Sequence, residues 1–283
     1  MARRPFHDEP TSKVAVWSSR LGLFAFAVAA LSIVIVRSSL LEIVPALATF
    51  AAALVFAGLA ILLAFAGFVV IWRQGRAGLG RALVGLFLGL ALLAYPSYLG
   101  VRAMRLPAIS DITTDTANPP RFDALARMRP RDRIDYPGPA TAALQRAAYP
   151  DIGPLELDVP VKVAYDAALA LVTKRKWSIS DARAPGPGRR EGVIEAVART
   201  PIMGFRDDVA IRVVPLGQGT RIDMRSASRL GAHDLGANAS RIRNMFEDID
   251  DLVSSAPEPR PIPEKKPPPP KKGQNEKRQP ANR

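Results

Sequence analysis

The sequence predicts three transmembrane helices followed by an α+β domain, and two observations lead to that fold class. Three long apolar runs fill the first third of the chain, and strand-like and helix-like patterns alternate through most of the rest. The runs cover residues 21–36, 47–72 and 82–101. A hydrocarbon core about 30 Å thick takes about 20 apolar residues of helix, so the second and third runs can cross it. Extending the first run back to Val14 reaches that length and includes Arg20, whose long side chain can reach the interface.

Basic residues in the loops predict the orientation, because cytoplasmic loops keep an excess of Lys and Arg. The segment before the first run carries four such residues, the first loop carries only Arg37, and the second loop carries three. We therefore expect the N-terminus in the cytoplasm and, after three crossings, the C-terminal part outside it. Trp17 and Trp72 fall at the predicted inner interface, and Tyr95 and Tyr98 at the outer one, where aromatic residues are enriched.

A cleaved signal peptide is the alternative interpretation of the first run, since a basic segment precedes an apolar stretch of suitable length. No small-x-small cleavage motif follows, because the chain continues Arg37-Ser-Ser-Leu-Leu-Glu. This favours a retained helix, which fixes the number of crossings and hence the side of the C-terminal domain.

The apolar runs have the features of an anchor. No acidic residue lies in the middle of a run, whereas transporters and proton relays usually carry ionisable groups there. Gly85 and Gly89 form a small-xxx-small pair that lets two helices approach closely. We expect this pair to pack within the three-helix bundle, with a dimer contact as the alternative. Pro96 is expected to bend or end the third helix.

Charge and composition exclude several classes of function. The net charge of +13 divides into +7 for residues 1–106, +1 for residues 107–255 and +5 for residues 256–283. A nearly neutral domain offers no basic face for nucleic acid. The chain has no cysteine and only two histidines, His7 and His233, which excludes thiol catalysis and a multi-histidine zinc site. We expect no cofactor and no metal.

The last part of the chain, residues 256–283, is predicted to be a disordered tail. Residues 257–283 contain nine prolines and almost no apolar side chain, so the segment cannot bury enough surface to fold. A tail that contacts anionic lipid or the cell wall is the alternative to a purely solubilising one. The chain therefore divides into an anchor of residues 1–106, a domain of residues 107–255 and this tail.

The domain begins with a polar segment, residues 106–120, that lacks strand and helix periodicity. Its hydroxyl and carboxyl side chains can bond their own backbone, so we expect an ordered extended segment over the domain. Two short helices are expected at residues 121–128 and 140–147, with a Tyr136-Pro-Gly-Pro turn between them.

Periodicity predicts the order β-α-β-β-β-β-α for the rest of the domain. An antiparallel sheet with helices packed on one face follows from that order. In the last strand Ile222 and Met224 alternate with Arg221, Asp223 and Arg225, so one face of the sheet is expected to be solvated. The predicted strands are residues 155–159, 177–182, 192–200, 208–216 and 220–228, and the helices are residues 161–176 and 234–253.

Two irregular segments carry a family resemblance. Residues 106–122 read LPAISDITTDTANPPRF, and residues 225–242 read RSASRLGAHDLGANASRI. Together with Tyr149-Pro-Asp and Trp177, they resemble the bacterial family catalogued as domain of unknown function 1499, over roughly residues 106–253. The resemblance implies a membrane-associated or exported bacterial protein. With the orientation predicted from the loop charges, we expect the anchor in the inner membrane and the domain in the periplasm. The resemblance implies no reaction, cofactor or substrate.

The densest group of polar residues lies where the last strand meets the last helix. Ser226 or Ser228 with His233 would suit a hydrolase, but no glycine-framed nucleophile elbow surrounds either serine. An N-terminal cap by Asp234 and an anion site on converging arginines are the other interpretations. The group comprises Arg225, Ser226, Ser228, Arg229, His233, Asp234, Asn238 and Arg241.

A second polar group lies in the extended segment. Two carboxylates with neighbouring hydroxyls can bind a hard cation, but the spacing is not that of a calcium loop. Local turns closed by side chains are the simpler interpretation. The residues are Asp111, Thr113, Thr114, Asp115 and Asn118.

These observations favour a membrane-anchored, non-catalytic binding or interaction module. Its expected surface comprises the two polar groups, and its expected partners are the lipid bilayer and an envelope protein or anionic ligand. The alternatives are an envelope hydrolase using Ser226 or Ser228 with His233, and a helix-grip carrier that holds a lipid between sheet and helix. The sequence identifies neither the ligand nor the oligomeric state.

Overall fold

The computed structural model of the protein describes residues 9–38, 43–130 and 134–255. Its first part consists of three long helices, α1 (Lys13–Ser38), α2 (Ile43–Gln74) and α3 (Leu79–Arg105). Each is long and apolar enough to cross a membrane, with mean hydropathies of 2.2, 2.9 and 1.8. The three predicted apolar helices are therefore confirmed, each extended by several residues at its ends. The predicted tail lies outside the described residues.

Small side chains line the contacts between these helices, and large ones face outward. Ala57 and Ala60 of α2 are fully buried, whereas Phe65 and Phe87 are largely exposed. The Ser18 hydroxyl of α1 donates a hydrogen bond of 2.8 Å to the Ala60 carbonyl oxygen. This distribution suits a helix bundle in lipid, where close packing and interhelical hydrogen bonds hold the helices together.

The glycine pair of α3 packs inside the bundle, as expected. A Cβ on Gly85 would lie 2.0 Å from Ser18 Oγ, and a Cβ on Gly89 would lie 2.8 Å from the Ala57 carbonyl oxygen. Pro96 was expected to bend or end the helix, and it does not end it, because α3 continues to Arg105. Membrane helices tolerate proline because neighbouring groups can satisfy the freed carbonyl.

The remaining elements form an α+β domain. Its helices are α4 (Asp123–Met128), α5 (Pro139–Ala148), α6 (Val161–Lys174) and α7 (Ala237–Ser254). Its strands are β1 (Asp111–Thr113), β2 (Leu155–Leu157), β3 (Ser178–Arg183), β4 (Gly192–Arg199), β5 (Arg206–Leu216) and β6 (Gly219–Ser228).

The six strands form one antiparallel sheet in the order β1-β6-β5-β4-β3. Both β1 and β2 pair with β6, at different positions along it. β1 was not predicted, because three residues with a single apolar side chain give no periodic signal. Gln145 of α5 satisfies the backbone of β1, with Oε1 accepting from Thr113 N at 3.0 Å and Nε2 donating to Thr113 O at 2.6 Å.

The two faces of the sheet are covered differently. α6 and α7 pack on one face, over a large apolar cluster that includes Ile194, Ile211 and Met224. α4 lies on the opposite face, where Phe122 and Leu125 pack against Ala210. The predicted α+β fold is confirmed, with both long helices on one face, whereas the position of α4 on the second face was not predicted.

The expectation that one face of the last strand is solvated is wrong. Asp223 is 1% exposed and Arg225 is 3% exposed. The segment that begins with β1 runs beside β6, as the bond from Thr114 N to Met224 O at 2.9 Å shows. It continues onto this polar face, where Asp115 pairs with Arg212 and Arg221. The alternating pattern of β6 shows which side chains are polar. It does not show whether water or a distant segment of the chain covers them.

The packing of Gly85 predicts that Gly85→Ala destabilises the protein. The new Cβ would force α1 and α3 apart, at a cost of about 1–3 kcal/mol. Gly80→Ala in the same helix is the matched control, because nothing lies within 4 Å of its Cβ position. Unfolding of both variants in mixed micelles measures the difference, and equal stability of the two would contradict this packing.

Candidate functional site

A buried ion pair joins the extended segment to the sheet. The register places Thr113 opposite Arg225 and Asp111 opposite Ala227. The guanidinium of Arg225 donates to the Asp111 carboxylate from Nε at 3.0 Å and from Nη2 at 2.7 Å. It also donates to the carbonyl oxygens of Pro120 at 3.3 Å and Ile134 at 2.9 Å. Every nitrogen of this guanidinium is therefore bonded within the domain.

Two aromatic rings flank the same guanidinium. Its central carbon lies 4.4 Å from the ring centre of Phe122 and 5.6 Å from that of Tyr136. Burial raises the pKa of Asp111 above its ordinary value of 3.8, although the bond to Arg225 opposes this shift. Removing one partner of such a pair leaves an uncompensated buried charge, which costs about 3–5 kcal/mol.

A second carboxylate nearby serves two arginines. Arg229 donates to Asp208 Oδ1 from Nε at 2.9 Å and from Nη2 at 2.7 Å. Arg129, which follows α4, bonds the other oxygen of the same carboxylate. Since Asp208 is almost fully buried, it fixes both arginines at the edge of the covered face.

These two ion-pair groups border a cleft of about 440 Å³ on the face covered by α4. Its lining carries three arginines and three aspartates, so the opposite charges are equal in number. Phe122, Ile134 and Pro137 supply apolar wall. The charged residues are Arg129, Arg225, Arg229, Asp111, Asp135 and Asp208.

Asp115 and Asp223 form a separate network on the same face. Arg212 donates to both carboxylates, at 3.2 and 2.9 Å, and Arg221 also bonds both. Asp115 Oδ1 also accepts from the backbone N–H groups of Ala117 at 3.1 Å and Asn118 at 2.9 Å. The turn interpretation of this segment is thus confirmed at Asp115.

The other residues of the second polar group are also hydrogen-bonded within the domain. The Thr114 hydroxyl accepts from Met224 N at 2.9 Å, and Thr113 bonds Gln145 through its backbone. Asn118 borders a smaller, separate cleft. In the part of the chain that the structure describes, no three histidine or acidic side chains lie close enough to hold a metal ion.

Ser226, Asn238 and Arg241 meet on the opposite face, beneath the start of α7. Ser226 Oγ donates to Asn238 Oδ1 at 2.7 Å, and Arg241 Nη1 donates to Ser226 Oγ at 2.7 Å. Arg241 Nη2 bonds the Asp207 carboxylate at 2.5 Å, and Asn238 Nδ2 donates to Ser228 Oγ at 3.0 Å. Burial raises the pKa of Asp207 above its ordinary value. This network ties α7 to the sheet.

His233 is directed toward the membrane helices and has no serine partner. Its Nε2 lies 3.3 Å from Ala103 O and 3.2 Å from Leu106 O, at the end of α3. Its Nδ1 accepts from Leu235 N at 3.0 Å. The serine–histidine pair of the hydrolase alternative is therefore not assembled.

Asp234 caps α7, as the sequence predicts. Its carboxylate accepts from the backbone N–H groups of Gly236 and Asn238, both at 2.8 Å. Gly236 adopts a left-handed conformation with φ 79°, which suits glycine. The cap satisfies amides that would otherwise have no partner at the helix start.

The three arginines of the proposed anion site do not converge. Arg225 and Arg229 bond carboxylates on the face covered by α4, whereas Arg241 bonds Asp207 beneath α7. Asp207 and Asp208 are adjacent in β5, and adjacent residues of a strand point to opposite faces. The cleft residues that were not predicted from the sequence include Phe122, Arg129, Asp135 and Asp208. Asp208 could have been noticed, because two adjacent acidic residues, Asp207 and Asp208, stand near the start of a largely apolar strand.

Arg225→Gln should destabilise the protein by about 3–5 kcal/mol, because Asp111 would lose its charged partner inside the domain. Arg221→Gln is the control, since Arg221 is partly exposed and Arg212 remains to pair with Asp223. We expect that control to cost about 0–1 kcal/mol. Urea unfolding of both full-length variants compares the two, and similar losses would show that the Asp111–Arg225 pair has no special weight.

The pKa values of Asp111 and Asp151 should fall on opposite sides of 3.8. Burial raises the first, and hydrogen bonding from Arg243 lowers the second. The raised pKa means that the Asp111 carboxyl holds its proton more tightly in the folded chain than in the unfolded chain. Its contribution to the free energy of unfolding therefore falls as the pH rises from 3.8 through the pKa of the folded state. Carboxyl ¹³C titration by NMR, assigned with Asp→Asn variants, measures both values, and identical midpoints would contradict the prediction.

The comparison with known families agrees with this geometry. A family model described as protein of unknown function (DUF1499) matches residues 111–249. No curated protein matches the chain. The matched range begins at the first residue of β1 and ends within α7. It therefore contains the whole sheet and the ion pairs that border the cleft, and it leaves out the three membrane helices. The α+β domain is therefore the part of this chain that the DUF1499 family model matches.

Proposed function

We propose that the protein is a membrane-anchored, non-catalytic binding module of the bacterial envelope. In this proposal residues 1–106 anchor it in the inner membrane and residues 107–255 form a periplasmic domain. The observation that carries the proposal is the cleft of about 440 Å³ that is bordered by the Asp111–Arg225 and Asp208–Arg229 pairs.

The charge pattern of the cleft favours a ligand with groups of both signs. Asp111 and Asp208 already neutralise much of the charge of Arg225 and Arg229. A lone anion would have to compete with those carboxylates, whereas a polypeptide segment can pair with Arg229 and with the exposed Asp135 together. We therefore favour an envelope protein as the partner over a small anionic ligand.

The other two candidate functions lack support. A hydrolase needs a nucleophile within hydrogen-bond reach of its base, and both nitrogens of His233 have backbone neighbours instead. A helix-grip carrier needs space between sheet and helix, and Met224, Ile242, Met245 and Ile249 fill that region with side chains that are at most 1% exposed.

The periplasmic location is supported by the loop charges and by the placement of Arg37. A single basic residue in the first loop, against four before it and three in the second loop, favours an N-terminus in the cytoplasm. The domain contacts Arg37 and the end of α3, so it lies on the side of the membrane where the first loop emerges.

Site-specific photocrosslinking tests the binding proposal. A benzoylphenylalanine residue at Asp135, which is exposed at the cleft, should give a specific protein adduct in living cells of the source bacterium. The same residue at Lys162, which is exposed on α6 across the sheet, is the matched control. We expect the Asp135 adduct to weaken several-fold when Arg229→Gln is added, because the partner loses a charged contact in the cleft. The domain should stay folded, since Asp208 still pairs with Arg129.

Identical adducts at both positions would contradict the proposal. So would an Asp135 adduct that is unaffected by Arg229→Gln while urea unfolding reports an intact domain.

A further inference from the structure

One end of the sheet is fixed beside the end of α1. The guanidinium of Arg37, in the last turn of α1, donates to the carbonyl oxygens of Pro201 at 2.5 Å and Ile202 at 3.0 Å. Arg199 donates back to the Arg37 carbonyl oxygen at 2.8 Å. Gly204 has φ 72°, and a Cβ there would lie 3.0 Å from Arg37 Cγ. The loop between β4 and β5, residues 200–205, is therefore held tightly against Arg37.

Arg37 also marks the depth of the membrane surface. The apolar run of α1 ends at Val36, and α1 has 26 residues. A helix of that length spans about 39 Å, somewhat more than the roughly 30 Å of hydrocarbon. A guanidinium is costly inside hydrocarbon, so Arg37 lies at the level of the lipid headgroups. The backbone groups that it binds, at Pro201 and Ile202, lie at the same level.

The chemistry of this loop suits that position. Residues 200–205 read Thr-Pro-Ile-Met-Gly-Phe and carry no charge, while the basic residues Arg199 and Arg206 flank them. Ile202 is 39% exposed at the tip, and Leu230 is comparably exposed on the chain that leaves β6. Arg229 N donates to Arg206 O at 3.1 Å, so both apolar side chains belong to the same end of the sheet.

We propose that the β4–β5 loop is a second membrane contact of the protein. Ile202 and Met203 insert among the lipid headgroups of the leaflet beside Arg37. Apolar side chains bordered by basic ones are the composition of segments that lie in the membrane interface. The occupant of this surface is thus the bilayer itself, continuous with the lipid around α1.

The contact has a consequence for the cleft. Asp208 follows Arg206 by two residues, and Ser228 and Arg229 line the cleft from the same end of β6. Anchoring the loop holds that end of the sheet at the membrane surface, so the cleft opens close to the headgroups. This inference concerns the orientation of the domain and stands independently of what the cleft binds.

Spin labelling tests the proposal directly, since the chain has no cysteine of its own. A nitroxide on Ile202→Cys is compared with one on Leu216→Cys, in the full chain in nanodiscs of phosphatidylethanolamine and phosphatidylglycerol. Leu216 is 44% exposed, similar to Ile202, but it lies at the far end of the 11-residue strand β5. At the rise of a β-strand, Leu216 lies about 33 Å from Arg206, the residue at the loop end of β5.

We expect the Ile202 label to collide several-fold more often with oxygen, which concentrates in the bilayer, than with a water-soluble nickel chelate. The Leu216 label should show the reverse. Equal nickel accessibility at the two positions would overturn the proposal. A label at Ile202 that neither reagent reaches would overturn it too, because a protein partner or a second copy of the chain would then cover the loop.

Discussion

The buried ion pair of Asp111 and Arg225 organises the polar side of this domain. Two charges placed out of water are tolerated only when their hydrogen bonds are complete, and here the arginine bonds one carboxylate and two carbonyl oxygens. Those carbonyl oxygens belong to Pro120 and Ile134, on either side of α4. One side chain therefore connects the extended segment to residues on either side of α4, and all three pieces border the cleft or lie next to it.

The same rule explains why the domain is dense in arginine but nearly neutral. Asp207 and Asp208 lie next to each other in β5 and point to opposite faces, and each binds an arginine of its own face. Glu195 of β4 is fully buried and accepts from three backbone N–H groups, of Asp123, Ala124 and Leu125, at the start of α4. Buried charges here connect loops and short helices to the sheet.

The sequence predicts the regular part of this structure well for a physical reason. Long helices and strands report their buried faces by periodicity, so the order β-α-β-β-β-β-α and the apolar stripe of α7 were visible. The Asp234 cap was also visible, because a capping residue acts on amides only a few positions away. Ser226, Asn238 and Arg241 belong to the larger polar group noted in the sequence, and these three do meet in the structure.

The covered polar face was not predictable in the same way. Asp111 and Arg225 are 114 residues apart, and neither neighbourhood encodes the partner of the other. Polar residues that alternate in a strand have the same pattern whether water or another segment covers them. The expected solvated face and the expected convergence of Arg225, Arg229 and Arg241 failed for this reason, because each inference used local spacing where a long-range contact decides.

The domain is also tied to its anchor at two places. His233 meets the carbonyl end of α3, and Arg37 meets the β4–β5 loop. These polar contacts at the ends of α1 and α3 restrict the tilt of the sheet relative to the bilayer. A flexible linker between the helices and the domain would leave that tilt free. These contacts therefore hold the cleft at a defined height relative to the helix ends.

Hydrogen exchange on the full-length protein tests the central claim, that the segment beginning at β1 is an integral part of the sheet and of its polar face. Because the Asp111–Arg225 pair and the β1–β6 hydrogen bonds hold this segment, the amides of residues 111–114 should exchange about as slowly as those of β5. The turn at Gly217 and Gln218 provides the fast reference within the same chain. Exchange of residues 111–114 at the rate of that turn would contradict the account.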